Sequence, residues 1–245
     1  MNGILIYTGV EIEARALARA LGLPRQPSPG LHPAWGRPTR NGSQLLLTVG
    51  PSDEKLAEGL PDRPRVFLGV GLGGGLAPDL TPGCLIIGEQ VVDNAGNAWR
   101  SDSELVGMAI RSVSRLGLPH RVGTLATHSH LVSTPAAKAV LWRDSGALAV
   151  DMESAHFLTV ARRQGIPALA VRAIADGPNM ALDPVWMQVI TSRGALDPGR
   201  LVRVFLSRPG LLAQAVRLGW VSRRALSHLA RFLPAFLGEA DSKIV

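Results

Sequence analysis

The chain has 245 residues, 46% of them hydrophobic, with one cysteine and a formal net charge of +7. Such a length and composition fit one sizeable α/β domain with a large core and exclude a disordered chain. The lone Cys84 excludes an internal disulfide and a cysteine-based zinc site, and no apolar run reaches the ~18 residues that a spanning helix needs.

Ile4 to Tyr7 reads as a short strand, entered without a basic n-region or a cleavage site, as expected of an untargeted cytoplasmic protein. Glu11 to Leu21 has helical spacing through Ile12, Ala16, Leu17 and Ala20, and stops at Gly22 and Pro24. Pro27, Pro29, Pro33 and Pro38 mark an irregular connection. Leu45 to Val49 and Val66 to Val70 are strands, and the second leads into the run Gly69 to Gly75. Cys84 to Gly88 and Gln90 to Val92 are strand-like.

Ser103 to Leu116 is a helix with Ser103 as N-cap and Gly117 as C-cap. Val122 to Thr127 is a strand, Ala136 to Trp142 a helix and Ala147 to Val150 a strand. Glu153 to Gln164 is a helix closed by Gly165 and Pro167, and Ala168 to Ile174 is a buried strand that leads to Asp176. From about Pro184 the chain is helical. Strands alternating with helices predict a three-layer α/β/α sandwich with a central mixed sheet.

The most informative runs are Val150-Asp151-Met152-Glu153-Ser154-Ala155 and Val171-Arg172-Ala173-Ile174-Ala175-Asp176. An acid at the end of a buried strand is costly unless it is paired or at work, so the pair marks an enzyme. Gly69-x-Gly71-x-x-Gly74 matches the dinucleotide fingerprint formally, but Pro78 and Pro82 leave no room for the helix that the fingerprint must open. The run instead predicts a strand end whose bare backbone lets a ligand approach, or else a tight turn. Glu11 and Glu13 follow a strand and Gly9, at a junction that faces the ligand crevice of α/β sheets; acids there also suit the helix dipole. His128-x-His130 lacks a third metal ligand at a diagnostic spacing, and Glu153 with His156 reads as a helical pair. No metal or cofactor is expected.

Together these runs resemble the nucleoside phosphorylase and nucleosidase superfamily over most of residues 3 to 192. They are closest to the methylthioadenosine/adenosylhomocysteine nucleosidases. Within that branch, Thr-Gly-Val-Glu-Ile-Glu-Ala, Gly-Gly-Gly-Leu and Arg-Pro-Gly-Leu-Leu are similar to the hopanoid-associated phosphorylase-like proteins. The resemblance implies a catalytic domain over 1–192, a phosphorylase/hydrolase-like fold and a homo-oligomer. It implies cleavage of an adenine nucleoside, with adenosylhopane as the preferred substrate. Glu13 then corresponds to the base that activates water, and Asp176 to the acid that protonates purine N7. Glu153 corresponds to the ligand of the ribose hydroxyls, Met152 to the residue packed on the sugar, and Arg172 to the arginine near the ribose and nucleophile. Leu131 and Val132 fall where the base is stacked and held. Leu72 and Gly73 lie in the glycine run at the nucleophile site. Two departures stand out. Leu72 replaces a serine and no arginine precedes the run, which favours water over phosphate. Leu131 replaces the usual aromatic. Rival readings are a general methylthioadenosine/adenosylhomocysteine nucleosidase, a purine nucleoside phosphorylase, and a non-catalytic nucleoside- or lipid-binding module.

Residues 193–245 form a basic, apolar helical segment expected to pack on or extend the same domain. Between Arg193 and Arg231 stand eight arginines and one acid, Asp197, which together account for the whole net charge. Arg217, Arg224 and Arg231 recur every seven residues, with Leu218, Val221, Ala225, Leu229 and Phe232 mostly opposite. Gly219 is expected to interrupt the helix and Ser222 to cap a second one. The segment reads equally as a terminal helix packed on the core or as an element seated on anionic lipid, peripheral on the membrane. Nucleic acid is the weaker partner, because stacking aromatics are sparse.

Overall fold

A computed structural model describes residues 3–27, 33–38, 44–49, 64–189, 191 and 197–244. Among them, ten strands join in one mixed sheet. They are β1 (Ile4–Thr8), β2 (Arg25–Gln26), β3 (Ala34–Pro38), β4 (Gln44–Val49), β5 (Val66–Gly75), β6 (Leu85–Asp93), β7 (Ala98–Arg100), β8 (His120–Thr127), β9 (Ala149–Asp151) and β10 (Ala168–Asp176). The helices are α1 (Glu11–Leu21), α2 (Ser103–Arg115), α3 (Pro135–Ser145), α4 (Ser154–Gln164), α5 (Pro198–Ser207) and α6 (Leu211–Ile244), with a 3-10 turn at Pro184–Val189.

The period-2 pattern of the strands sorts their side chains onto two faces. Ile4, Ile6, Val66, Leu68, Val70, Leu169, Val171 and Ala173 belong to a core shared with α1, α2 and α6. Leu5, Tyr7, Phe67, Ala168, Ala170 and Ile174 belong to a second core, closed by Phe157, Leu158 and Ala161 of α4. The fold is therefore mixed α/β with helices on both faces of a central mixed sheet. In β10, Arg172 occupies the row filled otherwise by Ala168, Ala170 and Ile174, yet it is fully buried.

One long strand gives the sheet its shape. The first half of β5 pairs in parallel with β1, and Gly74 and Gly75 pair antiparallel with Val150 and Ala149 of β9. Its other edge pairs with β10 throughout. Pairings β10–β6, β6–β8 and β8–β9 then close a five-strand ring. A strand must coil sharply to serve both an open sheet and a ring, and its glycines permit that.

Several local expectations are corrected. β3 lies inside the proline-rich connection, antiparallel to β4 with its final Pro38 at the strand end, where a missing N–H is tolerated. Cys84 to Gly88 and Gln90 to Val92 are one strand, β6, with a register shift between Gly88 and Gln90. Asp102, not Ser103, caps α2: its carboxylate accepts from the Glu104 and Leu105 N–H groups. α6 is continuous through Gly219 and Ser222, because Val221, Ala225, Leu229, Phe232, Leu233, Phe236 and Ala240 bury one face of it. That burial outweighs the ~1 kcal/mol penalty of one helical glycine.

Candidate active site

Parallel strands β1, β5 and β10 end on one side of the sheet, the edge where α/β folds bind ligands. Glu13 lies one turn into α1, just beyond β1. It is buried, and its carboxylate accepts the Leu72 N–H at 2.8 Å. The neighbouring Glu11 faces elsewhere and pairs with Arg15 at 2.6 Å. Two acids that the sequence left alike are thus separated: one serves the helix, the other faces the glycine strand.

The glycine run also makes room for the protein's own side chains. A Cβ on Gly71 would stand 2.8 Å from a Glu13 carboxylate oxygen, and one on Gly69 only 2.3 Å from the Phe157 ring. A Cβ on Gly74 would come within 3.2 Å of the Asp176 carboxylate, and one on Gly9 within 2.9 Å of the Glu153 carboxyl carbon. The bare backbone admits the protein's own acids and the ring that packs beneath them. Leu72 presents its backbone to Glu13, while its side chain packs against the core.

Asp151, at the end of β9, organises the opposite wall. Its Oδ1 accepts from the Thr127 hydroxyl at 2.8 Å and from the Glu153 and Ser154 N–H groups, which fixes the start of α4. Its Oδ2 accepts from the Ser154 hydroxyl and from Arg172 Nε, the latter at 2.5 Å. Burial raises the Asp151 pKa, but Arg172 and the two hydroxyls outweigh it and hold the carboxyl below its ordinary range. Arg172, read from the resemblance as a residue near the ribose and nucleophile, is fully buried and tied to Asp151, with Glu153 and Glu13 among its charge neighbours. Asp151 was not singled out as a site residue, although its place between a strand and a Glu-Ser helix start was a usable signal.

Glu153 and Met152 are half-buried at the mouth of α4. Desolvation and the nearby Asp151 carboxylate push Glu153 up to about 7. Burial, and to a smaller degree Glu153, push Glu13 up to about 7 against the Leu72 hydrogen bond and the Arg172 charge. Glu13, Glu153 and Arg172 are thus brought together.

Asp176 ends β10 opposite Gly74. Its partner is Lys138 of α3, a fully buried lysine that carried no sequence signal, because α3 has little apolar pattern to reveal an inward face. Lys138 Nζ donates to the Asp176 carboxylate, to Gly177 O at 2.9 Å and to Met180 O at 3.0 Å, so its three donors are all used. Burial raises the Asp176 pKa by more than Lys138 lowers it, and the net shift is upward. Leu131 and Val132 sit half-buried in the loop before α3; Val132 packs on Leu76, Ala126, Ala147 and Val150. That loop is tied to the chain beyond Asp176 by the Leu182 N–H, which donates to Ser133 O at 2.8 Å. His128 and His130 lie together in a partly exposed turn, and His156 points to solvent. Among the described residues no three His, Cys, Asp or Glu side chains cluster as metal ligands.

A raised carboxyl pKa has a stability consequence with a defined sign. The stability linked to Glu13 is fully present below its ordinary 4.5 and is lost as pH rises through about 7. Glu13→Gln, with no charge to desolvate, should therefore be more stable than the parent at pH 8, by up to about 3 kcal/mol, and equal to it near pH 4. Thermal unfolding at the two pH values tests this; the same difference at both would contradict it.

Fold and site together define a class: a mixed α/β protein with Glu13 and Glu153 at the starts of two helices and Asp176 at a strand end, gathered around one glycine-rich strand. The Phosphorylase superfamily model matches residues 54–188, more than half of the chain, and the chain belongs to that superfamily. It is 28% identical over 199 residues to a futalosine hydrolase of Streptomyces coelicolor, covering 71% of this chain and 83% of that protein. It is 26% identical over 130 residues to a 5′-methylthioadenosine/S-adenosylhomocysteine nucleosidase of Oceanobacillus iheyensis, covering 46% of this chain and 57% of the relative. The fold matches a mutant MTAN of Helicobacter pylori with 5′-methylthioadenosine in its active site, with TM-score 0.72 and 16% identity, over 98% of this chain and 99% of that one. Futalosine hydrolase of the same organism matches with TM-score 0.72 and 16% identity over 97% and 98% of the two chains. No helix among the described residues is long and apolar enough to cross a membrane.

Proposed function

We propose that this protein is a nucleosidase that hydrolyses the N-glycosidic bond of an adenine nucleoside with an apolar 5′ substituent, adenosylhopane being the preferred substrate. The observation that carries the reading is the set of Glu13, Glu153 and Asp176 around one glycine-lined strand end, with the Asp176 and Glu13 pKa values both raised. A purine leaves readily only once protonated. Asp176 gives its proton to N7 and accepts from the exocyclic amine. The C1′–N9 bond breaks, its electrons pass to the base, and the sugar becomes oxocarbenium-like. Glu13 removes a proton from water as the water oxygen bonds to C1′. Glu153 accepts from the ribose hydroxyls, and Met152 packs on the sugar.

Water is the acceptor in this reading. Among the described residues, the two cations at the site, Arg172 and Lys138, are each tied to an aspartate. Lys138 spends all three of its donors within the protein, and Arg172 Nε is held by Asp151. The hydrolase and nucleosidase names of the relatives support the same reaction class.

Lys138 acts through Asp176 and sets the pH at which the acid is protonated. Lys138→Met removes the influence that lowers the Asp176 pKa, so the alkaline limb of the kcat profile should move to higher pH. A structural role alone would lower activity at all pH values without moving the limb.

Adenine release from methylthioadenosine, adenosylhomocysteine and adenosylhopane, with and without phosphate, tests the function. Release from the lipid nucleoside alone, independent of phosphate, is the expected result. Release from the small thio-nucleosides in preference would make the protein a general nucleosidase. Phosphate dependence would make it a phosphorylase, and no release at all would leave a binding module.

A further inference from the structure

α5 and the first turns of α6 form a helical hairpin with a divided surface. Its inner side chains, Leu201, Val204, Phe205, Leu211, Ala215 and Leu218, pack on Val185, Trp186 and Val189. Its outer side chains are also apolar: Leu206 is 82% exposed, Val216 67% and Trp220 64%, with Val202 and Leu212 exposed as well. On α6, Leu212, Val216 and Trp220 follow at spacings of four, so they share one stripe. Beyond Trp220 the helix buries its apolar residues in the main core instead. The outward apolar stripe is therefore confined to residues 202–220, and it lies outside the packed clusters of the described residues.

The charge around it points to one occupant. Residues 198–238 hold seven arginines and no aspartate or glutamate. Arg203, Arg208, Arg217, Arg223 and Arg224 are all exposed. In a two-fold contact such a face would set its own arginines against one another, the bordering acids Asp183 and Asp197 being already paired with Arg208 and Arg200. An anionic bilayer fits instead: apolar side chains and an indole enter the headgroup boundary, and guanidinium groups meet lipid phosphates.

The face is wired to the site. Gln214, turned away from Val216 on the same helix, accepts from the Trp186 indole N–H at 2.5 Å and the Asp183 N–H at 3.2 Å, and donates to Ala181 O at 3.2 Å. This is the segment that begins after Asp176 and that Lys138 grips at Gly177 and Met180.

We infer that the outer face of α5 and the start of α6 docks the protein on an anionic lipid bilayer, placing the wall of the site at the membrane surface. The benefit of docking rests on the proposed apolar substrate, which must be drawn from a bilayer; the docking itself is measured without any nucleoside.

The test is co-sedimentation of the whole protein with phosphatidylcholine vesicles and with phosphatidylcholine–phosphatidylglycerol vesicles. Expected is at least about tenfold more binding to the anionic vesicles, weakened by salt. The double variant Val216→Glu, Trp220→Glu should lose that binding by about tenfold, with its thermal unfolding unchanged from that of the parent. Equal binding to both vesicle types, or undiminished binding by the variant, overturns the inference. So does a variant that changes oligomeric state while the parent ignores vesicles, since the face would then join copies of the chain. Vesicle binding without release of adenine from any nucleoside would keep the docking and remove the proposed function.

Discussion

Asp176→Asn lowers kcat by roughly 10²–10⁴-fold while the protein stays folded. The amide keeps the shape of the carboxyl and an oxygen to accept from Lys138, so the Lys138 contacts with Gly177 and Met180 are retained. What disappears is the transferable proton. Burial raises the Asp176 pKa by more than Lys138 lowers it, which favours the protonated form that the step needs. KM should change less than kcat, since N7 is protonated in the transition state and not in the bound nucleoside. Steady-state adenine release by the purified variant, with thermal unfolding as the control for folding, is the measurement. Turnover near that of the parent would remove Asp176 from the mechanism.

Arg172→Met costs about 3–5 kcal/mol of stability at pH 7. The guanidinium compensates a buried Asp151 carboxylate at 2.5 Å, and Met fills a similar volume without the charge. Asp151 keeps the Ser154 and Thr127 hydroxyls and two backbone donors, but it loses its counter-ion. The sign with pH is fixed by the lowered Asp151 pKa. Its stabilisation is present above the ordinary 3.8 and is lost as pH falls through the folded value, so parent and variant converge in acid. For a chain of this size the loss corresponds to a fall in Tm of roughly 10 °C. Asp151→Asn combined with Arg172→Met should recover part of it, because both partners of the pair are then neutral. A fall of less than about 2 °C would mean that the pair does not hold the two walls together, each degree being roughly 0.3 kcal/mol.

The elements and the acids were legible in the chain itself. β1, β5 and β10 are near-continuous apolar runs, as strands buried on both faces are, and strand geometry, which repeats every two residues, sets which of their side chains share a face. Gly22 and Gly165 marked two helix ends correctly, and both adopt the left-handed backbone at φ 61° that glycine takes without strain. Asp176 stood out because an acid at the end of a buried strand is costly without a use, and Glu13 and Glu153 through the motifs in which they stand.

What those residues face was settled by contacts between distant segments. Glu11 and Glu13 differ by two positions on one helix turn, and nothing local distinguishes them; the approach of β5 does. Lys138 belongs to a helix without a clear apolar stripe, and its partner lies 38 residues away. Gly219 and Ser222 were local signals for a break in α6, and the burial of Val221 to Ala240 in the core overrode them. Propensity and capping act over a few residues and are worth about 1 kcal/mol each. Packing a helix face, or pairing two buried charges, is worth several times as much. Such pairings join residues far apart in the chain, so they appear only once the fold is complete.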